Sequence, residues 1–174
     1  MKPENAESTV IKGINVSCCP IFHPERWDEK TFQLNQKKFI KESISEFLYI
    51  PFPTIIAKKV TKMIQLAKDA RHLDLNTENI LLWFTDLTPF KGEIYLSVTA
   101  AVPAAENVII SGTFIAKVFD GAFNNMPKFI KQMDFYLAKQ KKKPQQYYVH
   151  YAYCPKCAKK EGHNYILLFA ELES

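Results

Sequence analysis

A chain of 174 residues that is 47% hydrophobic and 24% charged has the apolar mass for one domain with a sizeable interior. Its 23 basic and 18 acidic residues leave a net charge of +5, much of it at Lys139, Lys141, Lys142 and Lys143. Arginine occurs only at Arg26 and Arg71, so the basic stripe of a nucleic-acid binder is missing. No run reaches the length that spans a bilayer, and the first residues lack the charged-then-apolar pattern of a secretory signal. The expectation is a cytoplasmic protein whose four cysteines are reduced thiols or metal ligands.

Residues 1–38 read as an arm packed on the rest of the chain. Residues 1–13 are polar. Cys18-Cys19-Pro20 follows, then Phe22, Pro24 and Trp27, with too many prolines and too little apolar repetition for a long regular element. Residues 30–34 read as a short strand, with a turn at Lys37 and Lys38. Trp27, Phe32 and Phe39 are costly to leave in water, so the arm must lie against something.

Residues 39–174 read as a single domain made of two repeats, about 39–103 and 108–172, each a strand–helix–strand–strand module. In the first, an extended run near 44–50 meets Pro51 and Pro53, which open a helix. Ile56, Val60, Met63 and Ala67 mark one buried face of that helix. A short strand at 80–84, a turn over 86–92 and an alternating strand at 93–99 complete the module. The second module opens with a β-rich run at 108–119 and a turn at Asp120-Gly121. Asn124 or Asn125 caps the next helix, and Pro127 sits in its first turn. Its apolar face, Met126, Ile130, Met133 and Leu137, repeats the first helix's positions at a displacement of 70 residues. A strand at 147–153, a polar hairpin and a strand at 165–172 follow. In that last strand Ile166, Leu168 and Ala170 answer Ile94, Leu96 and Val98, each displaced by 72.

The fold class is therefore α+β: duplicated modules form an antiparallel sheet, two main helices pack on one face, and a ligand groove lies between the modules. The apolar positions 94, 96, 98, 166, 168 and 170 receive the helices. The other face carries Glu93, Tyr95 and Ser97 with Tyr165, Leu167 and Phe169, a mixture of rings and one carboxylate that suits the lining of a binding cleft. The high aromatic content, 13% of residues, fits a lined cleft or a dense core equally well.

Ser111-Gly112-Thr113-Phe114-Ile115-Ala116, then Asp120-Gly121-Ala122-Phe123, and the strand Glu93-Ile94-Tyr95-Leu96 with its exit Val102-Pro103, resemble the GyrI-like small-molecule-binding domains. These share their fold with the SOUL haem-binding proteins. Three further marks resemble a narrower group named as hydrolases: Cys18-Cys19-Pro20, Trp27 with Lys30, and the run from Cys154 through Lys160. The resemblance implies an aromatic-lined groove with a buried glutamate that recognises cationic or polar ligands. Some relatives use such a carboxylate to hydrolyse strained electrophiles. The chain departs from the pattern in its last strand, where Tyr165 stands in the place of Glu93 and Glu171 lies near the end.

Glu93 is thus the candidate catalytic residue. Beside rings it would be desolvated, its pKa raised toward that of a general base. Left ionised, it would pair with a ligand cation held by cation–π contact with Tyr95 or Trp83. The candidate ligand-binding set is Trp27, Trp83, Glu93, Tyr95, Phe114, Tyr148, His150, Tyr165 and Phe169. His150 reads as a hydrogen-bonded structural residue or as a pocket acid or haem ligand. Cys154 and Cys157 have partial zinc-ligand spacing, which Cys18, Cys19 or His163 can complete. Their placement in a hairpin suits a zinc knuckle and argues against a redox pair, which would open a helix. No cofactor is otherwise called for, because no P-loop or dinucleotide fingerprint is present.

The reading is a stand-alone binding protein for a small, hydrophobic and in one version cationic molecule, without a DNA-binding module. Its partner is that ligand rather than nucleic acid or membrane. A hydrolase using Glu93 on a strained electrophile, and a zinc-bearing interaction module, are the alternatives.

Overall fold

The computed structural model describes residues 19–173 apart from 48–49, 52 and 89. The longest strand, β1 (Lys30–Phe47), has enough length to serve two neighbours. It pairs antiparallel with β5 (Glu106–Asp120) from Lys30↔Ala116 to Lys41↔Glu106, and with β4 (Lys91–Val98) from Lys38↔Val98 to Ser45↔Lys91. Beyond β4 lies β3 (Leu82–Thr88), then β6 (Pro144–Tyr151) and β7 (Tyr165–Leu172), and β7 returns to β5. Six strands thereby close into a barrel-like ring, which removes the exposed edges of an open sheet. A two-residue strand, β2 (Ile50–Pro51), extends the end of β1.

The ladder is thin at one seam. Among the described residues, β3 and β6 share the single register pair Phe84↔Val149. Side chains bridge the rest of that seam: Gln146 Nε2 donates to Thr85 Oγ1 at 2.9 Å, and His150 Nδ1 lies 3.0 Å from the Leu82 carbonyl oxygen.

The two long helices form where their apolar steps fall. On α1 (Pro53–Asp69), Ile56, Val60, Met63 and Ala67 pack with Ile94, Leu96 and Val98. On α2 (Met126–Lys139), Met126, Ile130, Met133 and Leu137 pack with Ile166, Leu168 and Ala170. Met63, Ala67, Met133 and Leu137 are essentially inaccessible, and each of the two methionines and the leucine contributes about 1.5–3 kcal/mol by leaving water. Both helices therefore cover the outside of the ring, on opposite-facing residues of the strands from those that fill its interior. In each half, the strand preceding the long helix pairs with the last strand of that half, which pairs with the one before it.

Several local expectations are corrected. The turn at Lys37 and Lys38 is a bulge inside β1, where Gln36 takes a left-handed φ of 49° and its N–H donates to Ser111 Oγ. Residues 30–34 and 44–47 accordingly belong to one strand. The turn over 86–92 is shorter, because β3 runs to Thr88 and β4 starts at Lys91. Asn125 occupies the cap position of α2 but makes no side-chain capping bond, since a 3-10 turn, Phe123–Asn125, leads into the helix. The polar hairpin before the last strand contains a third helix, α3 (Pro155–Glu161), with Cys154 at its N-cap position and Gly162 ending it at a left-handed φ of 74°. Proline in its first turn supplies the helical φ without needing a donor.

Candidate ligand site and thiol cluster

Because side chains alternate across a strand, the residues facing away from the helices point into the ring. They are mostly aromatic. Trp83, 1% exposed, is the hub: its ring lies 5.1 Å from Phe39, 4.7 Å from Tyr148, 5.3 Å from Phe114 and 5.0 Å from Phe169, centroid to centroid. Its indole Nε1–H has no hydrogen-bond partner among the described residues. The centre of the ring is thus occupied by the protein's own side chains.

Toward one mouth the packing is incomplete, and a cavity of about 270 Å³ remains. Trp27, Phe32, Leu81, Trp83, Phe114 and Phe169 wall it, with Asp74 and Lys37 supplying polar groups. Trp27 reaches this wall from a 3-10 turn, Pro24–Arg26, whose end is fixed by its own N–H to the Pro24 carbonyl. The indole rests 5.2 Å from the ring of Phe32 and 5.8 Å edge-on from that of Phe169.

Glu93 lies elsewhere on the interior face and does not wall the cavity. It is 7% exposed, accepts a hydrogen bond from the Tyr95 hydroxyl, and sits 3.1 Å from the Lys41 ammonium, which also reaches Glu106 at 3.0 Å. Burial alone would raise its pKa, but the Tyr95 hydroxyl and Lys41 outweigh burial and hold the carboxyl below its usual range. The expected upward shift is therefore reversed: Glu93 is an ionised carboxylate already paired with a cation of this chain. Tyr148 donates to Glu171 at 3.2 Å and meets Tyr95 edge-on at 5.7 Å. Burial and the adjacent carboxylates push both phenols well above their ordinary value.

Of the predicted ligand residues, Trp27, Trp83, Phe114 and Phe169 meet at the cavity, and Tyr148 packs directly on Trp83. Glu93 and Tyr95 form the hydrogen-bonded pair just described. His150 sits at the β3–β6 seam, where burial lowers its pKa to about 4 and keeps it neutral. Tyr165 stacks on His163 at 5.0 Å and approaches Phe22 at 5.3 Å, away from the cavity. Phe32 and Lys41 were missed as site residues. Reading 30–47 as one strand would have found both, since Lys41 shares the inward alternation of Phe39.

Cys19, Cys154 and Cys157 form a cluster in which the three sulfurs lie within 4.8 Å of one another. No disulfide joins them to one another. The Cys154 N–H donates to Cys19 Sγ at 3.3 Å, Cys157 is 2% exposed, and burial pushes the Cys19 thiol up to about 12. His163 is not part of this cluster; its Nδ1 lies 2.7 Å from Asp120. Cys18 lies outside the described residues. The pair does open a helix, so the ground for setting aside thiol chemistry, a hairpin placement, does not hold.

A strand ring with two outer helices and an aromatic interior is the fold expected from the resemblance of the sequence motifs to GyrI-like domains. Solved structures that share it include the C-terminal domain of EcmrR, with a TM-score of 0.62 at 9% identity over 83% of this chain and 96% of that one. A hydrolase from Listeria innocua gives a TM-score of 0.59 at 10% identity, covering 84% and 93% of the two chains. SAV2435 bound to tetraphenylphosphonium gives 0.52 at 10% identity, covering 83% and 93%. At these identities the likeness is one of fold. The chain belongs to the family described as Bacterial hydrolase, which matches residues 11–172. No curated protein matches it.

Proposed function

We propose that the protein binds a small lipophilic molecule, with a delocalised positive charge in the favoured version, in the cavity walled by Trp27, Trp83, Phe114 and Phe169. One observation carries this reading: the interior leaves about 270 Å³ beside a tryptophan hub. An apolar guest is stabilised there by roughly 25 cal/mol per Å² of area removed from water. A cation gains further from ring faces and from Asp74 at the wall, a gain that Lys37 on the same wall partly offsets. SAV2435, of the same fold, was solved with a lipophilic cation. The two halves, about 39–103 and 108–172, are read as copies of one module; their equal helix spacing and matching strand pairings support this.

Both tryptophans touch the cavity, so titration with tetraphenylphosphonium should quench their emission to a plateau. Trp27→Ala should weaken binding about tenfold, the equivalent of one aromatic contact worth ~1.5 kcal/mol. An emission that ignores saturating probe would overturn the assignment.

The second reading is a hydrolase in which ionised Glu93, hydrogen-bonded by Tyr95, attacks or deprotonates at a strained electrophile. The family's description supports it. Turnover of an epoxide probe that vanishes in Glu93→Gln would move this reading ahead; turnover that survives the substitution removes Glu93 from it. A zinc-bearing interaction module keeps the thiol cluster in its favour, as an addition to the ligand site.

A further inference from the structure

We propose that Cys19, Cys154 and Cys157 hold a thiophilic cation of the zinc class, and that the bound cation clasps the segment carrying Trp27 over the aromatic cavity. Three sulfur donors converge from two stretches far apart in sequence, with Cys19 meeting Cys154 across 135 positions. Zinc–sulfur bonds of about 2.3 Å place tetrahedral sulfurs about 3.8 Å apart. Sulfurs already within 4.8 Å of one another need only a small contraction to reach that spacing. No carboxylate or imidazole belongs to the cluster among the described residues, so calcium and magnesium, which require oxygen donors, are disfavoured. Binding replaces one proton on each thiol with a metal–sulfur bond, and the protons leave to solvent. The resulting three-thiolate site carries one net negative charge beside a helix that holds Lys156, Lys159 and Lys160. One coordination position stays open to a water or another donor.

The second half of the inference follows from what Cys19 is tied to, and it rests on the ligand reading above. Between Cys19 and the first residue of β1 the chain is held by the Phe22 N–H on the Tyr153 hydroxyl at 3.0 Å, by Phe22 against Tyr165, by Trp27 against Phe32 and Phe169, by the ion pairs Arg26–Glu78 and Glu29–Lys117, and by Asp28 Oδ1 accepting the Val118 N–H at 2.9 Å. Each contact is individually small. A metal–sulfur bond at Cys19 adds a strong anchor at the far end of this segment, closing a long loop and lowering the frequency with which Trp27 leaves the wall.

The test uses the full chain under a non-thiol reductant. Cobalt(II) should give tetrahedral d–d bands and a sulfur-to-metal charge-transfer band of three-thiolate intensity. Cys19→Ser and Cys154→Ser should each remove one thiolate's share, and zinc affinity should fall by more than the ~10–100-fold that loss of an outer-shell partner costs. Zinc should also slow tryptic cleavage after Arg26, with that protection lost in Cys19→Ser. No cobalt band, or a band unchanged by Cys19→Ser, overturns the site. Metal binding with no protection at Arg26 overturns the clasp. Tetraphenylphosphonium affinity should rise with zinc. Equal affinity with and without zinc refutes the coupling, whereas a metal site with clasp but no probe binding refutes the ligand reading alone.

Discussion

Lys41→Met tests the electrostatics of the interior most directly. The substitution keeps an unbranched aliphatic stem and removes the ammonium that lies 3.1 Å from Glu93 and 3.0 Å from Glu106. The Glu93 side chain is 9% exposed and that of Lys41 20%. The pair therefore falls between a surface ion pair, worth ~0–1 kcal/mol, and a buried one, whose half-removal costs ~3–5 kcal/mol. A loss of about 2 kcal/mol is expected, which lowers a urea midpoint by about 1 M for a slope near 2 kcal/mol/M. The pH dependence gives the sharper signature. In the native chain the Glu93 carboxyl lies below its unfolded value of 4.5, so it favours folding above that pH and the benefit fades as pH falls through the folded value. Without Lys41, burial is opposed mainly by Tyr95 and the carboxyl rises, so the folded state gains by taking up a proton on acidification. The stability gap between the two proteins should thus be widest near neutrality, narrow as pH falls, and close only below the native folded value, which lies under 4.5. Urea unfolding followed by tryptophan emission at both pH values reads this out. Equal midpoints at neutral pH, or a gap that ignores pH, would refute the reasoning.

Met133→Ala should cost about 2–5 kcal/mol, because the side chain is fully enclosed between α2 and the strand of Ile166 and Leu168, and cavity creation adds to lost transfer energy. The melting temperature should fall by about 10 °C with tetraphenylphosphonium affinity preserved; a loss under ~1 kcal/mol would contradict the packing. His150 should titrate near 4 by NMR, against 6.5 for an unburied imidazole. Since the folded value is depressed, stability is fully present above 6.5 and is lost as pH falls toward 4, by up to about 3 kcal/mol. Titration near 6.5 would remove that contribution.

Periodicity made the outer layer legible. The steps on α1 and α2 and the alternation of β4 and β7 each have one apolar side, and those residues are the ones that meet. The same alternation identified the inward face, but of that face only Phe169 reaches the cavity, where it meets Trp27, Trp83 and Phe114, which were singled out as rings rather than by alternation. What the sequence hid has physical causes. The bulge at Gln36 shifts the phase of β1, so an 18-residue strand reads as two fragments separated by lysines. α3 is two turns of mostly lysine with no apolar stripe, and Cys154-Pro155 reads equally as a turn. Lys41 and Glu93 are brought together only by the β1–β4 register, which local pattern does not encode. Closure of the sheet likewise depends on the non-local pairing of β1 with β5 and of β3 with β6.

That last join differs in kind from the others. Elsewhere the ring is sewn by peptide groups, which substitution leaves in place. Between β3 and β6 much of the stitching is done by an imidazole on Leu82 and an amide on a threonine hydroxyl. Two point mutations can therefore remove these side-chain bonds, leaving the stacking of Trp83 on Tyr148 to hold the join, and acid acts on it through the cost of burying a charged imidazole. The barrel thus depends on side-chain chemistry along one longitudinal line, whereas the rest of its circumference depends on backbone pairing.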